Sequence, residues 1–315
     1  MIYLVVFVVL MAAELVYFRI ADHFNIIDKP NERSSHSRIT LRGGGIIFYI
    51  GVLVYFALNG FQYPWFFGGL TLISLISFAD DIKPQSPKLR LIIHFFSMTL
   101  MFYQWDLFSF PWYFAIFALI FCTGVINAYN FMDGINGITG VYSTVVASGL
   151  LYIDVYQISF IDLKFIFILL LALLVFNIFN FRPKAICFAG DVGAISIAFI
   201  LVFMLGLLIL KTGDLSYLVL LSVYGVDSIL TILHRLILKE NIFEPHRKHA
   251  YQIMANEMRI PQVLVSLFYA LLQGVIVAGL FIFKTHSYEY LFSVIILLSL
   301  VYILFKKKNY HLHQL

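Results

Sequence analysis

Charged residues are scarce in this 315-residue chain. Asp, Glu, Lys and Arg together make up 12% of it, whereas hydrophobic residues make up 62%, and the mean hydropathy is +0.93. An ordinary soluble domain carries about 25% charged residues. The shortage of charge therefore excludes an ordinary soluble domain and favours a protein that lies in a lipid bilayer.

Cysteines are equally few. Cys122 and Cys187 both lie in or beside apolar segments, so their number and spacing exclude a disulfide framework and a cysteine-based metal site. The chain opens on an apolar run that has neither a basic region before it nor a small-residue cleavage site after it. We therefore expect a retained first membrane span. No repeat and no long linker is visible, and we expect a single domain over residues 1–315.

Apolar segments recur along the whole chain at about the length that spans a bilayer, roughly 17–25 residues. Their number predicts an all-α, polytopic transmembrane helical bundle of about eleven spans. Ten is the alternative count, because two pairs of blocks have tight connections. The blocks lie at 2–20, 44–58, 64–79, 89–104, 111–126, 139–156, 163–180, 193–210, 214–233, 262–283 and 289–305.

Lysine and arginine are concentrated in alternate connections, which predicts that those connections are cytoplasmic. The opposite connections hold only Lys164, Lys211 and Lys284. With eleven spans, this asymmetry places the N-terminus outside and the C-terminus in the cytoplasm. The long polar connections all fall on the predicted cytoplasmic side, at 21–43, 80–88, 127–138, 181–192 and 234–261. A transporter would place its polar groups near the bilayer midplane, so this pattern favours an enzyme that faces the cytosol.

One of these connections carries an unusual density of amide and carboxylate groups: Asn127, Asn130, Asp133 and Asn136 fall within eleven residues. An aspartate near the centre of a spanning helix costs about 3 kcal/mol. We therefore expect Asp133 to lie at the membrane surface or in a wet cavity, where such acids are functional candidates.

The first cytoplasmic connection contains residues suited to phosphate. Arg33 and His36 precede Arg42 and three consecutive glycines; cationic side chains bind phosphate oxygens, and glycines allow close approach of the backbone. The alternative is a basic connection whose glycines begin the next helix.

Two acidic motifs suggest metal or proton chemistry. Asp80 and Asp81 follow an apolar block and precede Lys88 and Arg90. Paired carboxylates suit Mg²⁺, which prefers oxygen ligands shared with substrate phosphates, while the cations suit an anionic headgroup. Asp191 lies between glycines at the start of a span. Helix starts favour anions, but a carboxylate there repels phosphate unless a cation bridges the two, which makes Asp191 a candidate metal ligand.

The late connection combines His246, Arg247 and His249. Imidazole and guanidinium groups stabilise a diphosphate during phosphoryl transfer. A zinc site is disfavoured because no cysteine or third histidine lies nearby, and a solvated basic loop is the alternative. Asp227 and Glu14 lie within spans; either can serve a site or be a structural partner.

In this order, the motifs resemble those of the polyprenyl-phosphate N-acetylhexosamine-1-phosphate transferases. This superfamily contains the WecA, TagO and MraY enzymes within glycosyltransferase family 4. The resemblance runs from Asp28 to Gln252 and is greatest to the WbpL-like branch, which initiates O-antigen glycans. It rests on the matched positions Asp80, Asp81, Asn127, Asn130, Asp133, Gly134, Phe188, Gly190, Asp191, Gly193, Asp227 and the loop 246–249.

The resemblance implies transfer of a sugar 1-phosphate from a UDP-N-acetylhexosamine to undecaprenyl phosphate, with release of UMP and a requirement for Mg²⁺ or Mn²⁺. It implies a bacterial inner-membrane protein that uses membrane lipid and no nucleic acid, and it leaves homodimerisation open. Each implied role belongs to a matched position. The metal belongs to Asp191 and Asp81, and the lipid phosphate to Asp80 or Asp81. Phe188 stacks on uracil, Asp133 and the asparagines bind the nucleotide, and His246, Arg247 and His249 contact sugar or diphosphate.

The chain departs from the family pattern at three places. Asn136 stands where a second aspartate is usual, so we assign it substrate binding at most. Ala194 replaces a serine, and the late loop lacks the histidine-rich form of MraY. Two alternatives remain: an MraY-type transferase of phospho-MurNAc-pentapeptide, and a non-catalytic transporter of lipid or nucleotide sugar that kept the fold.

Overall fold

The computed structural model describes residues 1–30, 35, 38–241 and 247–309. Within these residues ten of the eleven predicted apolar blocks correspond to one long helix each, and the ninth to a 3₁₀ helix followed by α9, which confirms the polytopic helical fold. The long helices are α1 (Ile2–His23), α2 (Ile46–Leu58), α3 (Pro64–Ile82), α4 (Pro87–Gln104), α5 (Trp112–Met132), α6 (Ile138–Tyr156), α7 (Leu163–Asn180), α8 (Gly190–Thr212), α9 (Ser222–Ile237), α11 (Gln262–Ile282) and α12 (Ser287–Lys308). A short helix, α10 (Ala250–Gln252), lies between α9 and α11.

Nine helical segments of the described chain are long and apolar enough to cross a membrane. The helix α2 is apolar but has only 13 residues. The helix α4 begins with a proline and carries Lys88 and Arg90 near its start, as expected of a helix that leaves the membrane at a polar surface.

The helix α8 forms the centre of the bundle. In its most apolar 18-residue stretch 83% of the residues are buried, against 28% in α1 and 17% in the segment Lys284–Lys308. Aromatic rings pack around α8. Phe66 of α3 stacks on Phe203 of α8 with their ring centroids 3.8 Å apart. The outer helices therefore present apolar faces outward, as a bilayer requires, while α8 holds the site at its N-terminal end.

The ninth predicted block is interrupted. Residues Leu215–Leu221 form a 3₁₀ helix, and α9 begins only at Ser222. Buried Gln273 of α11 serves the backbone at this break: its amide donates to the Val219 carbonyl (3.0 Å) and its oxygen accepts the Val223 N–H (3.2 Å). A broken helix is tolerated in a membrane because protein groups satisfy the released backbone.

Two short strands outside the helices, β1 (Ile27–Asp28) and β2 (Thr40–Leu41), pair antiparallel, and Leu41 bridges to Cys187. This contact brings the predicted connections 21–43 and 181–192 together.

Three predicted loop boundaries need correction. The helix α3 includes Asp80 and Asp81, α5 extends to Met132 and so includes Asn127 and Asn130, and α8 begins before Asp191. These polar residues remain helical because their backbone groups still form hydrogen bonds within the last or first turn of the helix. The functional groups therefore stand on helix ends rather than on free loops.

Candidate active site

The site is framed by two chain segments that pair along their backbones. Leu41 accepts the Phe188 N–H (2.8 Å), Phe188 accepts the Gly44 N–H (2.9 Å), and Ala189 accepts the Gly45 N–H (3.1 Å). The start of α2 is thereby fixed against the segment that precedes α8. Arg42 and Asp191, which are 149 residues apart in sequence, become neighbours.

Close packing of the two helix starts depends on glycine. A Cβ atom at Gly45 would collide with the backbone of Gly193, and one at Gly193 would meet the Gly45 Cα. The predicted role of these glycines was access of phosphate to the backbone. In the structure they allow α2 and α8 to touch.

Asp81 anchors the start of α8. Its carboxylate is inaccessible to solvent and pairs with Arg42 Nε (2.7 Å). It also accepts the backbone N–H groups of Asp191 (2.9 Å) and Val192 (3.0 Å). Those N–H groups belong to the first turn of α8, where helical partners are missing. Both Asp81 oxygens are thus engaged by the protein.

Asp191 is the more accessible acid, with its side chain 18% exposed. Arg42 Nη2 approaches it to 3.4 Å and Arg90 Nη2 to 3.9 Å. Asp80 lies beside it, paired with Arg90 Nη1 (3.0 Å) and accepting the Gln85 N–H (2.7 Å). Two arginines thus bridge three carboxylates around the start of α8.

The ionisable groups around the start of α8 differ in how strongly they hold their protons. Burial opposes the charged form of Arg42, but the carboxylates of Asp81, Asp191 and Asp28 outweigh burial and raise the pKa of its guanidinium. Burial also raises the pKa of the Asp133 carboxyl to about 7, and a hydrogen bond from Thr139 Oγ1 (2.6 Å) opposes that rise. The negative charge of Asp191 adds to the rise in this pKa, and the positive charge of Arg42 opposes it.

Segments of four of the predicted connections meet around a polar cavity of about 340 Å³. The cavity is open on one side and is lined largely by amide and carboxylate groups. Its walls include residues from the first connection, from α5 and the turn that follows it, from the start of α8 and from α10. They comprise Asp28, Ser35, Arg42, Asn130, Asp133, Gly134, Ile135, Asn136, Asn180, Phe188, Ala189, Gly190, Asp191, Gln252 and Gln262.

Asn136 serves mainly as a structural tie, although it borders the cavity. Its side-chain amide donates to the carbonyls of Arg182 (3.1 Å) and Pro183 (3.3 Å). Its backbone N–H donates to Gln262 Oε1 (3.0 Å), and its carbonyl accepts Ser266 Oγ (2.7 Å). These bonds bind the turn after α5 to α11 and to the connection before α8.

Three amide side chains of the cavity were absent from the predicted set: Asn180, Gln252 and Gln262. Asn180 accepts the Gly137 N–H (2.7 Å) and donates to the Cys187 carbonyl (2.8 Å). Gln262 also donates to the Ser35 carbonyl. No local pattern distinguishes these amides from surface ones. The signal of Asn180 and Gln262 is tertiary, because each joins segments that are distant in sequence.

Asn127 lies on a different surface from Asn130. It lines a second, largely apolar cavity of about 650 Å³ between α5, α9 and α12, together with Gly124, Phe131, Gly225 and Arg235. The two asparagines are three residues apart on α5, so the end of α5 separates the polar cavity from the apolar one.

Asp227 and His249 lie together but outside the lining of the polar cavity. Asp227 Oδ1 is 3.2 Å from His249 Nδ1, and both side chains are almost fully buried. His249 begins α10, and its backbone N–H donates to Gln252 Oε1 (3.2 Å).

The remaining predicted residues divide in two. Lys88 is exposed and Arg247 is half-buried, and neither lines the polar cavity. Arg33, His36 and His246 lie outside the described residues.

The donor set around the polar cavity consists of oxygen atoms. Within the described chain no group of three His, Cys, Asp or Glu side chains forms a ready-made metal cage. Mg²⁺ commonly takes one or two carboxylates and completes its shell with water and substrate phosphates. Asp191 and its neighbours suit that mode of binding.

The fold and site therefore define a polytopic membrane protein with a carboxylate-lined cavity at one end of the bundle. The family model for glycosyl transferase family 4 matches residues 63–209. This range includes Asp80, Asp133 and Asp191 and the helices that carry them.

Relatives that match across most of the chain carry a consistent name. The probable undecaprenyl-phosphate N-acetylglucosaminyl 1-phosphate transferase of Bacillus subtilis (strain 168) is 24% identical over 254 residues, which cover 74% of this chain and 70% of the relative. The undecaprenyl-phosphate alpha-N-acetylglucosaminyl 1-phosphate transferase of Salmonella typhi is 26% identical over 289 residues, 82% of this chain and 77% of the relative. A phospho-N-acetylmuramoyl-pentapeptide-transferase of Fervidobacterium nodosum matches only 39% of this chain, at 29% identity.

These findings support the assignment of the chain to the superfamily of polyprenyl-phosphate N-acetylhexosamine-1-phosphate transferases, the WecA and MraY superfamily that the motifs resemble. The long apolar helices indicate an integral membrane protein, and the relatives that match most of the chain are named as N-acetylglucosaminyl 1-phosphate transferases.

Proposed function

We propose that the protein transfers an N-acetylhexosamine 1-phosphate from a UDP-sugar to undecaprenyl phosphate and releases UMP. The observation that carries the proposal is the pair of cavities divided by the end of α5. One is polar and acidic, and the other is apolar and opens between helices. A water-soluble nucleotide sugar and a polyprenyl lipid require two such surfaces side by side.

The polar cavity suits the donor. Its volume of about 340 Å³ falls in the range of roughly 300–1,000 Å³ of small-molecule sites. Phe188 offers an aromatic face for uracil, while Asn130 and Asp133 offer hydrogen-bonding groups for the nucleotide. Gln252 and Gln262 add amides that suit sugar hydroxyl or N-acetyl groups.

The apolar cavity suits the acceptor lipid. Each Å² of apolar surface that a polyprenyl chain buries contributes about 25 cal/mol of favourable transfer free energy. The cavity between α5, α9 and α12 is lined mostly by apolar residues. Arg235 stands on its lining and is held by Glu240 (3.2 Å). A cationic residue on an otherwise apolar lining suits a lipid that ends in phosphate.

A divalent cation fits the acidic side of the site. Four carboxylates, those of Asp28, Asp80, Asp81 and Asp191, lie around the two guanidiniums of Arg42 and Arg90. The excess negative charge would repel a diphosphate in the absence of a cation. Mg²⁺, or Mn²⁺ in its place, would neutralise the diphosphate and polarise the phosphorus under attack.

Asp191 is the first candidate to hold that cation, because its carboxylate is accessible and only loosely paired with Arg42 and Arg90. Asp81 was predicted as a second ligand, but its oxygens already hold Arg42 and the start of α8. We therefore assign Asp81 the positioning of Asp191. Asp80, with its side chain 11% exposed, is the better candidate to accept or orient a proton of the lipid phosphate.

The reaction exchanges one phosphoanhydride linkage for another. An oxygen of the acceptor phosphate forms a bond to the phosphorus that carries the sugar, and the bond from that phosphorus to UMP breaks. Two anions meet in this step, and Arg42 and Arg90 offset part of their repulsion. Direct attack and an aspartyl-phosphate intermediate both satisfy this balance.

The biological role that we propose is initiation of O-antigen or another surface polysaccharide in lipopolysaccharide or cell-wall synthesis. The enzyme would act at the cytoplasmic face of a bacterial inner membrane, where nucleotide sugars are available. Homodimerisation stays a prediction of the family resemblance.

A donor screen tests the proposal. Purified protein is mixed with undecaprenyl phosphate, Mg²⁺ and one of UDP-GlcNAc, UDP-GalNAc, UDP-FucNAc, UDP-QuiNAc or UDP-MurNAc-pentapeptide, and UMP release is measured. We expect release with one N-acetylhexosamine donor, and loss of release after addition of a chelator. The variant Asp191→Asn should be inactive while its unfolding temperature stays near that of the wild type.

The other outcomes are equally informative. Release only from UDP-MurNAc-pentapeptide would replace the proposal with the MraY reaction. Uptake of donor into vesicles without UMP release would favour a transporter, and near-normal turnover by Asp191→Asn would remove that residue from the site.

A further inference from the structure

We infer that Asp227 is a positioning residue that orients the imidazole of His249, rather than a ligand of the substrate. The inference rests on the proposed function, since His249 is the group through which Asp227 would act. It also assigns a role to Thr231 and to Tyr302 of the last helix, which no sequence motif includes.

Four protein groups hydrogen-bond to the Asp227 carboxylate. Its Oδ2 accepts Tyr269 Oη at 2.6 Å. Its Oδ1 accepts Thr231 Oγ1 (3.2 Å) and the Ala250 N–H (3.1 Å), and lies 3.2 Å from His249 Nδ1. A carboxylate satisfied in this way, and 3% exposed, is fixed in place and has little capacity left for a substrate.

The bond to His249 determines how the imidazole ring can act. A carboxylate beside Nδ1 keeps the proton on that nitrogen and leaves Nε2 for the second hydrogen bond, as in catalytic and metal-binding histidines. Asp227 also receives the N–H of the residue that follows His249. The same acid therefore fixes both the ring and the backbone turn that carries it.

This turn contacts the acidic motif at the end of α5. Tyr251 Oη donates to the Phe131 carbonyl (2.9 Å), and its ring stacks on that of His249 with centroids 5.8 Å apart. Gly134 makes room for Tyr251, since a Cβ atom there would collide with the phenol oxygen. Displacement of the turn would therefore disturb Gly134, which follows Asp133, and would move Gln252, which lines the polar cavity.

The last helix supports Asp227 from behind. Tyr302 Oη and Thr231 Oγ1 are 2.6 Å apart, which links α12 to the Asp227 carboxylate through one hydroxyl. Lys306 donates to the carbonyl of Lys248, the residue before His249, and lies 5.5 Å from the centre of the Tyr302 ring. Both sides of the His249 turn are thus held, one by α9 and one by α12.

A double-mutant cycle tests the inference. The variants are Asp227→Asn, which keeps the shape of the side chain, His249→Gln, and the double variant. Asp154→Asn is the matched control: Asp154 is also a buried acid and accepts the Phe160 and Ile161 N–H groups (2.7 and 3.1 Å), but it lies sixteen residues from the start of α6, about 24 Å along the helix. Measured quantities are kcat and KM for the UDP-sugar and the unfolding temperature.

We expect Asp227→Asn to lower kcat by about 10-fold or more while KM changes by less than about 2-fold. In the His249→Gln background the same substitution should change kcat by less than about 2-fold, because the group that it positions is gone. Equal losses in both backgrounds, or a raised KM, would overturn the inference in favour of direct substrate contact. If Asp154→Asn had the same unfolding temperature as Asp227→Asn and lowered kcat by the same factor, the loss of turnover would be assigned to stability.

A readout without turnover separates this inference from the proposed function. The rate at which diethyl pyrocarbonate modifies His249 is measured by mass spectrometry of the His249 peptide. We expect an increase of several fold in Asp227→Asn and none in Asp154→Asn, because only the first releases the ring. If the wild type turns over no donor, the proposed function fails, but the modification rate still shows whether Asp227 holds the imidazole of His249. An unchanged rate would show that Asp227 does not hold the imidazole.

Discussion

At the scale of single residues, Asp81 and Asp191 show how environment separates two chemically identical groups. Asp81 is inaccessible and holds Arg42 and two backbone N–H groups, whereas Asp191 keeps an exposed edge toward the polar cavity. Removal of a buried acceptor with three donors leaves those donors unsatisfied, at about 1–3 kcal/mol for each neutral one. The two acids therefore differ in what they contribute: Asp81 to the geometry of the site and Asp191 to its chemistry.

Asp133 provides a prediction about pH. The pKa of its carboxyl in the folded protein is about 7, above the ordinary 3.8, so the folded state binds this proton more tightly than the unfolded state does. The resulting stabilisation is complete below about pH 4 and is lost as pH rises through 7. Asp133→Asn keeps a neutral group at every pH. We expect its unfolding temperature to exceed that of the wild type by about 2–4 °C more at pH 8 than at pH 5.

The measurement is thermal unfolding in detergent across this pH range, with divalent cations removed. Asp106→Asn is the control for the substitution itself, because Asp106 is an exposed acid at the other end of the bundle. A difference for Asp133→Asn that is the same at pH 5 and pH 8 would contradict the assignment.

Sequence reasoning located much of the cavity lining, since Asn130, Asp133, Phe188 and Asp191 all line it. Other residues were harder to assign. The segment of Arg42 was predicted to suit phosphate, yet its two carboxylate partners lie 39 and 149 residues away. An ion pair of this kind depends on how helices pack, and no spacing in the chain encodes it.

At the scale of elements, the contact between α2 and α8 illustrates the use of glycine. The two helix starts approach so closely that neither Gly45 nor Gly193 has space for a side chain. Small residues allow such approach between helices in membranes. This contact holds the segment of Arg42 over the start of α8, so the geometry of the acidic site depends on it.

Gly45→Ala tests this contact. The backbone of Gly45 has φ −67°, which alanine adopts without strain, so the effect of the substitution is steric. We expect it to lower the unfolding free energy by about 1–3 kcal/mol, measured by thermal unfolding, and to lower turnover with it. Gly124→Ala is the matched control, because a Cβ atom at Gly124 has no neighbour within 4 Å. Equal stability of the two variants would argue against a close contact between α2 and α8.

The helix ends show which boundaries were predictable. Prolines mark the starts of α3 and α4, and these boundaries follow the predicted blocks closely. The break before α9 was not predicted, because it depends on Gln273 of another helix. The extension of α5 through its asparagines was also missed, since polar residues were assumed to end the helix.

At the scale of the whole molecule, the functional groups gather at one end of the bundle. They lie at the ends of α3, α5, α7 and α9 and at the starts of α2, α4, α6, α8 and α11. The end of α12 reaches the same region through Lys306, while α1 begins at the opposite end. An odd number of long helices therefore leaves the start of α1 and the end of α12 on opposite sides.

The predicted orientation has this end in the cytoplasm. Cysteine accessibility tests it, since both native cysteines are buried. Thr285→Cys lies between α11 and α12, and Lys184→Cys lies between α7 and α8; both positions are exposed. In spheroplasts we expect a membrane-impermeant maleimide to label Thr285→Cys at once and Lys184→Cys only after lysis. The reverse pattern would invert the orientation.

The amino-acid sequence by itself determined that the protein is a helical membrane protein, where its apolar helices lie and which acids are candidates. These properties follow from local quantities: the length of apolar runs and the cost of charge in lipid. The tertiary structure decided which acid holds the start of α8 and which faces the cavity. It also decided that the end of α5 divides two cavities and that Asp227 serves His249. Those properties depend on distances between segments far apart in the chain, because buried groups such as Asp81, Asp227 and Lys306 find their partners on other segments.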